Sequence, residues 1–282
     1  MAAISQPSLF ESMPRPERIG PARVSFIDTA HLLTPGKGRT SSFDYTLNPY
    51  RGCSFGCSYC YAAFFEPDEA KRRDWGNWVE VKHRALAALS KADLRDKRVY
   101  MSSVTDPYQP IEMQVGLTRE IVEHLAASGA RLVVQTRSPF VTRDIDVFQR
   151  FEHLRVNVSI TTDSDAVRKR YEPGCASVGR RLDAVRQMCE AGLKVRVCVC
   201  PMLPMENPVK FGRLLDEIGV HAVTASYFHS TGRAAFAANT REGAFALSED
   251  DGWTEERMRD CAAALSRSCR SYGSSEMAFG PV

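Results

Sequence analysis

The stretch Asn48–Ala62 reads NPYRGCSFGCSYCYA and sets Cys53, Cys57 and Cys60 at C-x3-C-x2-C spacing in one short loop. Three thiolates this close are spaced to hold one metal centre. Gly52 and Gly56 let the backbone fold tightly and aim N–H groups at the sulfurs, and Tyr59 and Tyr61 supply amphipathic rings suited to a cofactor wall. Structural zinc sites and closed iron-sulfur sites take four protein ligands, yet the loop carries no fourth Cys or His. The spacing therefore predicts a centre with one metal position left open.

Further stretches extend the pattern along the chain: VEVK at Val79–Lys82, SSVTDPYQPIE at Ser102–Glu112, LTREI at Leu117–Ile121, QTRSPFVTRDID at Gln135–Asp146, SITT at Ser159–Thr162, and Glu172-Pro173 followed by RRLDAV at Arg180–Val185. With the cysteine loop, this ordered set resembles the radical S-adenosylmethionine (SAM) superfamily, in a subgroup similar to spore photoproduct lyase. Phe55 and Ala63 depart from the subgroup pattern, where His and Arg are common, but neither is a cluster ligand. The resemblance implies a [4Fe-4S] cluster on Cys53, Cys57 and Cys60, whose open iron chelates SAM. It also implies reductive cleavage of SAM to a 5′-deoxyadenosyl radical. Such a cluster works toward the low end of the range of roughly −700 to +450 mV open to iron-sulfur centres, so a flavodoxin or ferredoxin-type electron donor is expected.

Outward from the loop, short apolar runs alternate with helical patterns. Tyr45–Asn48, Arg98–Ser102, Arg131–Thr136, Arg155–Ile160, Lys194–Cys200 and Ala222–Phe228 read as strands. Helices are expected near His83–Leu94, Thr118–Ser128, Arg143–Phe151, Ser177–Ala191, Pro208–Ile218 and Trp253–Cys269. Repeated βα alternation predicts parallel strands in an α/β partial (β/α)6 TIM-type barrel, the fold the resemblance also implies. Residues 1–43 are expected as an N-terminal arm, 44–230 as the core barrel and 231–282 as a short C-terminal helical extension.

In barrels the chemistry sits at the carboxyl ends of the strands, where the motifs fall. Ser102, Ser103 and Asp106 lie where the family binds the amino group of SAM. Arg137, Ser159 and Tyr59 complete the candidate cofactor-binding set, although Ser and Thr after a strand are also ordinary turn formers. Cys198 and Cys200 share one strand face and are candidates for a hydrogen donor or a second-cluster ligand, although buried cysteines are read first as small apolar residues. Tyr227 and His229 end the last strand and are further catalytic candidates. Glu172 is expected to pair with Arg180 or Arg181.

The resemblance also places Ser103 where the lyase carries its hydrogen-donating cysteine. A serine O–H bond is too strong for that role, which argues against the same reaction. The formal charge of +3 gives little support for a phosphate-binding track, so DNA is not the favoured partner and the substrate stays unknown. Nine cysteines in 282 residues, with no export signal in MAAISQPSLFESMPRPERIG and no bilayer-length apolar run, point to reduced thiols, the cytoplasm and no membrane partner. Three readings stay open: a radical SAM enzyme, a non-catalytic iron-sulfur or zinc module, and a DNA photoproduct lyase.

Overall fold

The computed structural model describes residues 15–29, 32–227, 247, 252–274 and 280–282. Its strands, in chain order, are β1 (Arg18–Ile19), β2 (Ala22–Ile27), β3 (Leu33–Pro35), β4 (Tyr45–Leu47), β5 (Tyr50–Arg51), β6 (Trp78–Lys82), β7 (Arg98–Met101), β8 (Arg131–Thr136), β9 (Leu154–Ser159), β10 (Val195–Val199), β11 (Ala222–Ala225) and β12 (Tyr272–Ser274). Eight of them form one sheet in the order β12-β11-β10-β9-β8-β7-β4-β3. All neighbours in it are parallel except β3, which runs antiparallel to β4 at the edge. The edges β3 and β12 do not pair with each other, so the curved sheet is an open, partial barrel.

Each of the six expected strands is present, with ends shifted by a few residues. β12 has only three residues, too short for a periodic signal, and pairs with β11 through Val223–Tyr272 to Ala225–Ser274. The remaining strands form a small sheet, β1-β2-β6-β5, that ties the amino-terminal residues to the start of the cysteine loop. Expected helices appear at Leu117–Ser128, Val178–Glu190, Pro208–Ile218 and Glu255–Ser268. The expected helix near His83 shrinks to Ala85–Leu89, and that near Arg143 becomes a 3-10 turn, Pro139–Asp144, followed by Ile145–Phe148.

Strand alternation explains both faces of the sheet. In β9 and β10, Leu154, Val156, Val158, Val195, Val197 and Val199 belong to the main hydrophobic core. The alternate positions are Arg155, Asn157, Ser159, Arg196 and Cys198, all buried and facing the lumen. The lumen is therefore polar. Its lower end is filled where Arg155 donates to the Gly280 carbonyl and where Val282 packs on Phe43, Tyr100 and Val133. Among the described residues, no helix is long and apolar enough to cross a membrane.

Candidate active site

The cysteine loop is held by the motifs that accompany it in sequence. Gly52 adopts φ +79°, and a Cβ there would lie 2.7 Å from the Trp78 ring and carbonyl, so only glycine fits between β5 and β6. Thr105 Oγ1 donates to the Gly52 carbonyl at 2.6 Å, and Gln109 Oε1 accepts from Ser54 N at 2.9 Å. Asn48 Oδ1 accepts from Val104 N at 3.1 Å, and Tyr61 donates its hydroxyl to the Ser103 carbonyl. SSVTDPYQPIE is thus a clamp on the loop. Its last residue, Glu112, is buried and accepts from Tyr50, from Thr118 N at 2.8 Å and from Arg143 Nη2 at 2.6 Å, which joins the LTREI and TRDID stretches to the same unit.

Above the strand ends lies a cavity of about 490 Å³, inside the range of roughly 300–1,000 Å³ usual for small-molecule sites. Cys53, Cys57 and Cys60 line it together with Tyr59, Tyr61, Ser102, Ser103, Asp106, Arg137, Ser159, Cys198, Cys200 and Tyr227. Every site residue expected from sequence therefore borders one space, except His229, which lies outside the described residues. Arg39, Trp75, Gln135 and Tyr272 also line it. Arg39 and Tyr272 come from a short turn and a three-residue strand that carry no periodic signal. Trp75 is 5% exposed, in the link between helix Glu69–Arg73 and β6.

The polar groups divide by what they already touch. Asp106 accepts from Thr136 Oγ1 at 2.7 Å, Arg137 N at 2.7 Å and Tyr108 N at 2.9 Å, so its carboxylate braces the end of β8; burial raises its pKa despite these donors. Ser159 Oγ accepts from Gln135 Nε2 at 2.7 Å, and Ser103 Oγ from Asn48 Nδ2 at 3.3 Å. Ser102 differs. It holds φ 75°, rare for a residue with a side chain, and its buried Oγ has no hydrogen-bond partner. The Trp75 indole N–H is likewise buried and unpartnered. Two residues that line the cavity thus each carry a buried polar atom without a partner.

Beneath the loop, Glu172 is fully buried and accepts from the Tyr59 hydroxyl, from Thr161 Oγ1 at 2.8 Å and from Arg181 Nη2 at 2.7 Å. Burial works to raise its carboxyl, but Arg181 and Arg137 hold it below the ordinary glutamate range. Arg181, rather than exposed Arg180, is the partner, and the pair braces the interior instead of the surface. Arg137 donates to the Tyr59 hydroxyl at 3.2 Å and lies over its ring at 5.6 Å. Cys198 Sγ lies 3.9 Å from Gln135 Oε1, and Cys200 Sγ lies 3.7 Å from the Thr224 carbonyl; burial pushes Cys200 up to about 12, so both are thiols rather than thiolates at neutral pH. Cys175, from the Glu172-Pro173-Gly174 turn, brings its Sγ to 3.8 Å from Cys57 Sγ.

The sequence pattern of the radical SAM superfamily matches residues 47–218, which is more than half of the chain and includes the loop, the clamp and the Glu172–Arg181 brace. The chain belongs to the radical SAM superfamily. Members are enzymes that use an iron-sulfur cluster with SAM, and three thiols around a cavity with unpartnered polar atoms suit that pair. An uncharacterised protein of Methanocaldococcus jannaschii is 35% identical over 160 residues, 57% of this chain and 61% of that protein. The radical SAM Nα-GlyT isomerase of Pseudomonas phage M6 is 25% identical over 162 residues, 55% of this chain and 32% of the isomerase. The chain thus spans under two thirds of each. Among solved structures, spore photoproduct lyase complexed with dinucleoside spore photoproduct superposes with a TM-score of 0.63 at 17% identity, over 89% of this chain and 81% of the lyase. That likeness agrees with the partial barrel.

Proposed function

We propose that this chain is a radical SAM enzyme that holds a [4Fe-4S] cluster on Cys53, Cys57 and Cys60 and acts on a substrate of undefined class. One observation carries the reading: the three cysteines of the motif border a single cavity with the polar strand ends and the unpartnered Ser102 hydroxyl. When bound, cluster and SAM supply a 5′-deoxyadenosyl radical for hydrogen abstraction. The chain's own residues do the rest. Ser102 and Ser159 offer hydroxyls to the polar parts of SAM, Arg137 offers a cation beside Tyr59, and Asp106 acts indirectly by fixing Thr136 and Arg137. The aromatic rings of Tyr59, Tyr61 and Trp75 exclude water from the site.

Cys198, Cys200 and Tyr227 face the same space and are the candidates for exchanging a hydrogen atom with substrate. Ser103 lines the same cavity but is not one, because an O–H bond is too strong to give up a hydrogen atom usefully. This weighs against photoproduct repair despite the shared fold. A flavodoxin or ferredoxin-type protein is the electron source in this reading. Anaerobic reconstitution is the test: about four irons per chain, with a spectrum that changes on adding SAM, is expected. Tight zinc with no response to SAM would replace the reading with a non-catalytic metal module.

A further inference from the structure

The turn that follows helix Asp165–Tyr171 grips the cysteine loop at several points. Ser58 N donates to the Tyr171 carbonyl at 2.9 Å, and Gly174 N donates to the Phe55 carbonyl at 3.1 Å. The approach at Gly174 is so close that a Cβ would sit 2.8 Å from Phe55 Cα and from the carbonyls of Ser54 and Phe55. Cys175 comes next. Its N donates to the Glu172 carbonyl at 3.0 Å, its carbonyl accepts from Arg168 Nη1 at 3.2 Å, and its side chain, 5% exposed, is fixed against Cys57 with the sulfurs 3.8 Å apart.

The two sulfurs are not equivalent. Cys57 lines the cavity with Cys53 and Cys60, whereas Cys175 is not part of that lining and sits behind Cys57. A metal in the cavity requires Cys57 as a thiolate, which can only accept a hydrogen bond, so the proton shared by the pair must reside on Cys175. From this geometry we infer that Cys175 is a positioning residue whose S–H donates to the cluster-ligating Cys57 thiolate and so raises the cluster's reduction potential. The inference rests on the cluster reading above. Its physical basis is that a donor to a ligand sulfur withdraws negative charge and stabilises the reduced, more negative cluster more than the oxidised one; hydrogen bonds to sulfur are among the determinants of iron-sulfur potentials.

The test uses the full-length chain reconstituted anaerobically as wild type, Cys175→Ala, Cys175→Val and Cys175→Ser. Iron and sulfide content and the EPR signal of the reduced cluster come first, then an EPR-monitored potentiometric titration. The Ala and Val variants should hold the cluster at a more negative midpoint than wild type, while Ser, which keeps a donor, should titrate at or above it. Wild-type potentials in Ala and Val overturn the inference, as does a Ser variant shifted down like them. If only Ser loads, its own midpoint decides: at or above wild type supports the donor, below refutes it. Loss of the cluster from all three variants, with wild type loaded, would make Cys175 a ligand and overturn the donor role. A wild type that binds no cluster would instead remove the reading on which the inference rests.

Discussion

Replacing Glu172 by Ala isolates the brace beneath the cysteine loop. Glu172 and Arg181 are both fully buried, with 2.7 Å between Oε2 and Nη2. Truncation would leave the Arg181 guanidinium buried without its counter-ion, which costs about 3–5 kcal/mol, and would strip an acceptor from Tyr59 and Thr161. Against a typical total of about 5–15 kcal/mol this is a large loss. At roughly 2–4 °C per kcal/mol for a large domain, Tm should fall by about 6–20 °C. Glu172→Leu combined with Arg181→Met removes both charges at similar volume, so the double variant should be more stable than Glu172→Ala alone. Because the folded-state pKa of Glu172 is depressed, its contribution is present above the ordinary glutamate range and is lost as pH falls through the depressed folded value. The Tm gap between wild type and Glu172→Gln should therefore stay constant from neutral pH down to that range and narrow below it. Calorimetry across pH reads both effects. A Tm within about 2 °C of wild type for Glu172→Ala, or a double variant no more stable than Glu172→Ala, would refute the reasoning.

Cys53→Ala, Cys57→Ala and Cys60→Ala should each fold yet fail to hold a [4Fe-4S] cluster or cleave SAM; full iron and undiminished 5′-deoxyadenosine from Cys57→Ala would contradict the ligand set. Ser102→Ala and Ser159→Ala should weaken SAM by about 0.5–1.5 kcal/mol, roughly two- to tenfold, with cluster content preserved, and unchanged titrations in both would remove them from the site. Iodoacetamide should label Cys200 far more slowly at neutral pH than a surface thiol, with the rate climbing only toward about 12; ordinary reactivity near pH 8 would show a solvated thiolate. Wild type should cleave SAM under strong reductant without repairing a thymine-dimer dinucleotide, and multiple-turnover repair would point to Cys198 or Cys200 as the donor that Ser103 cannot be.

What sequence patterning reveals here follows the physics of each element. The six parallel strands announce themselves because β-branched residues at alternate positions pack outward on helices. Their polar alternates, such as Arg155, Asn157 and Ser159 in β9, resemble a solvent-facing row but face a buried lumen, since both faces of the strand are covered. The cysteine spacing reads directly as a metal site because its ligands are local. Arg39, Trp75 and Tyr272 stay hidden because they reach the cavity from a turn, a link and a three-residue strand, none of which has a period to read.

Cys175 shows the same limit in a different form. Alone in sequence, 115 positions beyond Cys60, it has no spacing that ties it to a metal, and its neighbours Pro173 and Gly174 read only as a turn. The link to Cys57 exists because Gly174 lacks a Cβ and can press against the Phe55 backbone, and because Arg168 fixes the Cys175 carbonyl. Gly174→Ala should therefore separate the turn from the cysteine loop: the added atom meets backbone on Ser54 and Phe55, where no flexible side chain can give way. Cluster retention should fall while the strands of the large sheet keep their hydrogen-exchange protection. Loss of protection across the whole sheet would mean that the turn supports the fold at large, and unchanged cluster retention would mean that the loop does not depend on this clasp.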